Sequence, residues 1–109
     1  MPISLQEISA DLEKNVLEDT RWGETVAFVM RHVRDSLLLQ ASLFSPQNGR
    51  SLTTFQGTRL SIHAFQRMED WRSRFDEHVE EEELQNFEEA RTAFLSRLGQ
   101  LLKNIDGQA

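Results

Sequence analysis

From Thr58 to Leu98 the chain contains neither glycine nor proline. Across that stretch large apolar residues recur three and four positions apart, the period of an amphipathic helix. Leu60, Ala64, Met68, Trp71, Phe75 and Val79 form one stripe. Leu84, Phe87, Phe94, Leu98, Leu101 and Ile105 form a second, with Arg91 in its one vacant heptad position. So much helical patterning in 109 residues points to an all-α fold.

At about 100° per residue, the two stripes lie roughly 110° apart around a common helix. The chain therefore bends at the acidic run Glu80–Glu83, or stays straight and shows different faces to different neighbours. Acids there suit the start of a new helix, whose N-terminus carries a partial positive charge. Against a break, only Asn86 between Asp76 and Ala93 is a turn former. The reading adopted is one C-terminal helix, long and continuous or merely kinked.

Two helices precede it. Ser4 to Glu7 is a capping box, with Ile3 and Ile8 spaced as a hydrophobic staple. Leu5, Ile8, Leu12 and Val16 continue at helical spacing, and Asp19-Thr20 and Gly23 mark the join. The second helix spans about Glu24 to Phe44, with Val26, Val29, Met30, Val33, Leu37, Ala41 and Phe44 on one face. Pro46, Asn48-Gly49 and Gly57 then break the pattern. Residues 45–57 read as a mobile loop. A β-hairpin over 45–64 is the alternative, because Leu52/Thr54 and Leu60/Ile62 alternate.

The expected fold is a single domain over residues 1–109. It is a small helical bundle with two N-terminal helices, a loop and a long or kinked C-terminal helix, packed in coiled-coil style. The predicted core includes Val33, Leu37, Met68, Trp71, Phe75, Leu98 and Leu101.

Charge narrows the function classes. The net charge is −6, yet no acid lies between Asp35 and Glu69. That central window carries Arg50, Arg59, Arg67 and His63. An acidic chain is repelled by nucleic acid and anionic membranes except at such a local patch. With no cysteine, disulfides and thiolate chemistry drop out. The longest apolar run, Val26 to Met30, is far short of a membrane span. The acid-rich N-terminal stretch does not read as a targeting segment. A cytoplasmic protein without membrane contact is expected.

Catalytic patterns are missing. His32 with Asp35, and His78 with Glu82, each share a helix face, but no Glu-x-x-His pair accompanies them. Four successive glutamates sweep the whole circumference of a helix, so they read as solvated and not as a magnesium site. There is no nucleophile elbow and no phosphate-binding glycine loop. No metal or cofactor is expected, and the chain does not read as an enzyme.

Interaction residues are easier to name. Phe28, Leu39 and Leu43 lie off the main stripe of the second helix and offer extra apolar surface. Trp22 either staples the first two helices or stands out as an anchor. Arg50 and Arg59 are candidate anchors in the acid-free centre. The expected function is a non-enzymatic protein–protein interaction module: a small adaptor, assembly factor, chaperone or regulator. Its partner is another protein, with a homo-oligomer, most simply a dimer, expected as well. One alternative is a nucleic-acid-linked regulator, acting through the arginine-bearing centre or by acidic mimicry. Another is a metal-dependent helical enzyme.

Overall fold

A computed structural model describes residues 4–44, 52–78 and 80–103, apart from the side chains at 43–44 and 76–78. Ser4 opens α1 (Leu5–Leu12). Its hydroxyl accepts a hydrogen bond from the Glu7 amide at 3.2 Å, and the Glu7 carboxylate accepts one from the Ser4 amide at 3.3 Å. Two otherwise unpaired donors of the first turn are thereby satisfied. The helix then widens into a π turn over Glu13–Leu17. The extra residue turns two consecutive apolar side chains, Val16 and Leu17, into the core.

Asp19 caps a 3₁₀ turn, Thr20–Trp22, accepting from the Arg21 amide at 2.9 Å. Gly23 follows at φ 84°. A side chain would be strained in that left-handed region, so glycine redirects the chain at little cost. From there α2 runs over Glu24–Phe44.

Residues 45–51 lie outside the described residues, and with them most of the expected loop. Its end differs from expectation. Thr53 makes a second capping box, accepting from the Gln56 amide at 3.2 Å and donating its own amide to the Gln56 side chain at 2.8 Å. Helix α3 therefore starts at Thr54 and runs to His78. Gly57 is buried in its first turn, its amide donating to the Thr53 carbonyl at 2.9 Å. Residues 52–64 contain no strand, so that arm of the expected hairpin is helical instead. A capping box nucleates a helix strongly enough to carry one glycine.

The long C-terminal helix is corrected to two. Glu80 sits in extended geometry (φ −71°, ψ 156°) at the head of α4, Glu81–Leu102. Helices α3 and α4 then run antiparallel. Phe75 meets Phe87, Arg72 meets Glu88 at 3.1 Å, and Glu69 pairs with Arg91. The physical reason is the phase difference between the two stripes. A straight helix would leave one stripe in water, whereas a reversal brings both to one core. Glu81, Glu82 and Glu83 fill the first turn of α4, where the helix dipole favours them.

Ion pairs and hydrogen bonds mark the other neighbours. Arg31 and Arg34 of α2 reach Glu13 at 2.8 and 2.6 Å. Ser36 of α2 and His63 of α3 share a 2.7 Å hydrogen bond. Arg97 of α4 grips Asp11 of α1 with two bonds of 2.6 and 2.7 Å. Helices α2, α3 and α4 all pack on one another, and α1 lies against α2 and α4. One apolar cluster joins them. Ala41, Ala64 and Ala90 are each fully buried and let the helices approach closely. Among the described residues no polar or charged side chain is buried. None of the described helices is long and apolar enough to cross a membrane.

Six of the seven predicted core residues are buried. Trp71 is the correction: it is half-buried at the α2–α3 edge. There the Arg74 guanidinium lies 4.7 Å from its ring and the His32 ring 6.2 Å away.

The hydrogen bonds from Arg97 to Asp11, and from Arg31 to Glu13, hold both carboxyls below their usual 3.8 and 4.5. Because the folded pKa values are depressed, the stability they add is present above the unfolded values. It is lost as pH falls through the folded ones. Thermal melts between about pH 5 and pH 2 should therefore fall more steeply for the parent than for an Asp11→Asn, Glu13→Gln variant. Parallel curves would show that neither pair contributes to acid stability.

Candidate interaction surface on α2 and α3

Once the core closes, large apolar side chains remain uncovered at five described positions. Phe28 is 60% exposed, Leu39 68%, Phe55 67%, Ile62 52% and Phe65 50%. All five stand on α2 or α3. Helices α1 and α4 carry none among the described residues. Large apolar groups left exposed on two helices mark candidate contact surfaces.

On α2 the exposed ridge reads Phe28, His32, Asp35, Leu39. Phe28 packs edge-on against the His32 imidazole, 4.4 Å between centroids at 69°. Two grooves flank the ridge. One, of about 670 Å³, lies toward the 3₁₀ turn and is lined by Leu17, Gly23, Ala27 and Phe28, with Glu18, Asp19 and Arg31 at its rim. The other, of about 250 Å³, runs between α2 and α3 past Ser36, Leu39, Arg67 and Trp71. Below them His63 is partly buried. Desolvation, with Arg67 nearby, pushes its pKa below 6.5 and favours the neutral ring that bonds Ser36.

On α3 the outward face carries Phe55, Arg59 and Ile62. The Arg59 guanidinium lies 5.6 Å from the Phe55 ring centre. Phe65 leans toward α4, where Arg91 covers part of its ring at 5.2 Å. Cationic groups over aromatic faces keep these rings in place without removing them from solvent.

The sequence-derived candidates divide accordingly. Phe28, Leu39 and Arg59 are on the exposed α2–α3 side. Trp22 is buried, 4% exposed, with its indole N–H donating to the Val16 carbonyl at 2.8 Å. It staples the π turn to α2 and is no surface anchor. The Leu43 side chain and Arg50 lie outside the described residues. Sequence reasoning missed Phe55, Ile62 and Phe65. The available signal was their phase: each falls outside the Leu60–Ala64–Met68 stripe. Ile62 figures in the sequence reading only through the alternative hairpin pattern.

For chemistry the arrangement offers little. No three His, Asp or Glu side chains converge among the described residues. His32 and Asp35 share the α2 ridge, but Asp35 is engaged by Arg34 at 3.1 Å. Glu80, Glu81 and Glu82 are exposed. Of the centre's described arginines, Arg67 pairs with Asp70 at 3.5 Å. What the surface can do is bury apolar area against another helix or sheet, with Arg59, Arg67 and Arg74 set around its aromatic rings. Comparison with protein-family models, curated proteins and solved structures finds no match to this chain.

Proposed function

We propose that this chain is a protein–protein interaction module, an adaptor or assembly factor that works by binding and not by catalysis. One observation carries the reading: every strongly exposed large apolar side chain among the described residues lies on α2 or α3. Burying a single Phe or Leu contributes roughly 1.5–3 kcal/mol. Two such groups on α2 and three on α3 offer apolar area for a contact that must also meet the costs of association. Aromatic and arginine side chains together, here Phe55 with Arg59 and Trp71 with Arg74, match the residue types that dominate binding hot spots.

A photo-reactive amino acid placed at Phe55 or Ile62, in cells of the native source, tests it. Discrete crosslinked species are expected from those α3 positions. None is expected from Glu89 or Thr92 on the outer side of α4, both exposed. Equal crosslinking from both sides would remove the α2–α3 side as the binding surface.

A further inference from the structure

Apart from Glu24 at its start, the exposed residues of α2 through position 42 are six: Thr25, Phe28, His32, Asp35, Leu39 and Ser42. Their spacing is 3-4-3-4-3, an unbroken heptad seam on the side opposite the core stripe. The seam is also a palindrome. Reversed about a point between Val33 and Arg34, Thr25 falls on Ser42, Phe28 on Leu39 and His32 on Asp35.

We propose that this seam pairs with its own copy in a second chain, antiparallel, about a two-fold axis crossing α2 beside Val33 and Arg34. The proposal rests on the reading of the chain as an interaction module and names the partner of the α2 ridge. An isologous contact requires a surface complementary to itself, and here the requirement is met position by position. Phe28 meets Leu39 of the other copy, twice, so both exposed apolar groups are covered. His32 meets Asp35 of the other copy, twice, a donor against a carboxylate at the centre. Thr25 meets Ser42, two small polar groups at the ends. A parallel pairing would set the Asp35 carboxylates against each other, which like charge disfavours. The approaching Leu39 would also rest beside the apolar groove of Leu17, Gly23 and Ala27, next to Phe28. The two-fold carries the acidic rim of that groove, Glu18, Asp19 and Glu24, toward the far end of the other α2 and away from its own copy.

Because the chain has no cysteine, the register can be read directly. Thr25→Cys and Ser42→Cys alter exposed positions outside the core. Within one helix they stand about 25 Å apart, too far to bridge. Light scattering should give a mass of two 12.7 kDa chains at high micromolar concentration. Under mild oxidation the double variant should become a covalent dimer, and neither single variant should. Leu39→Asp, at an exposed site, should weaken association about a hundredfold or more with an unchanged melting profile at low concentration, since each dimer loses two leucine contacts.

A single variant that crosslinks with itself would overturn the antiparallel register. A dimer that none of the variants crosslinks would place the contact elsewhere and overturn the proposal. A mass of one chain would overturn it too. In that last case, α3 crosslinks retained in cells would leave the module reading standing, and their loss would defeat both.

Discussion

Replacing Phe87 with alanine is expected to cost about 3–5 kcal/mol. Phe87 is the first fully buried large apolar residue of α4, and none of its surface is exposed. Its ring lies 4.8 Å from that of Phe75, edge to face at 68°, a geometry that adds to simple burial. Truncation removes that contact and leaves a cavity at the point where the two helices are held together. Backbone relaxation there is limited, because Arg72–Glu88 and Glu69–Arg91 clamp the same turns. For a domain of ordinary stability, roughly 5–15 kcal/mol, the loss approaches or exceeds half of the total at the lower end of that range. Urea unfolding at equal protein concentration measures it, with the slope checked so that only the midpoint carries the comparison. Phe55→Ala, at a site 67% exposed, is the control and should stay within about 0.5 kcal/mol of the parent. A Phe87 variant as stable as that control would place the ring outside the core.

Trp22→Ala is the second large effect, again about 3–5 kcal/mol. The indole fills the junction where the π turn, the 3₁₀ turn and α2 meet, beside the α4 helix. Its N–H satisfies the Val16 carbonyl at 2.8 Å, at a place where the π turn disturbs the regular ladder. Trp22→Phe separates the two contributions. It keeps most of the apolar burial and removes one of two hydrogen bonds to that carbonyl, which still accepts from the Asp19 amide at 3.3 Å, for about 0.5–1.5 kcal/mol. Denaturant melts of the two variants should therefore rank alanine well below phenylalanine. Equal losses would mean that the hydrogen bond, and not the packed ring, holds the junction. No loss in either would show that the first helix stands without this staple.

Much of the fold was legible because its signals are local. Ser4 and Glu7 announce a helix start within four residues. The Val26–Ala41 stripe needs only the period of one helix. The reversal between α3 and α4 was harder. Its sequence holds no glycine or proline, and the break follows from two stripes seeking one core, a condition on residues far apart. Gly57 misled for the complementary reason, since a breaker inside a well-capped first turn is tolerated when the helix packs. Trp71 looked like core by phase, yet it is only half-buried, with His32 and Arg74 against its ring.

The division between sequence and structure is clearest on α2. Periodicity alone assigns Val33 and Leu37 to one face and Phe28 and Leu39 to another, because side-chain direction along a helix repeats every 3.6 residues. It also points to the all-α class, and Ser4 with Glu7 marks the first cap. Which of two apolar faces goes inside is a different matter. Both faces gain from burial, and the choice depends on how many helices are available to cover them. Four helices enclose one core and no more. The α3–α4 reversal brings α4 back onto α2 and α3, α4 also holds α1 through Asp11 and Arg97, and the Phe28–Leu39 ridge and the Phe55–Ile62 face are left outside that core.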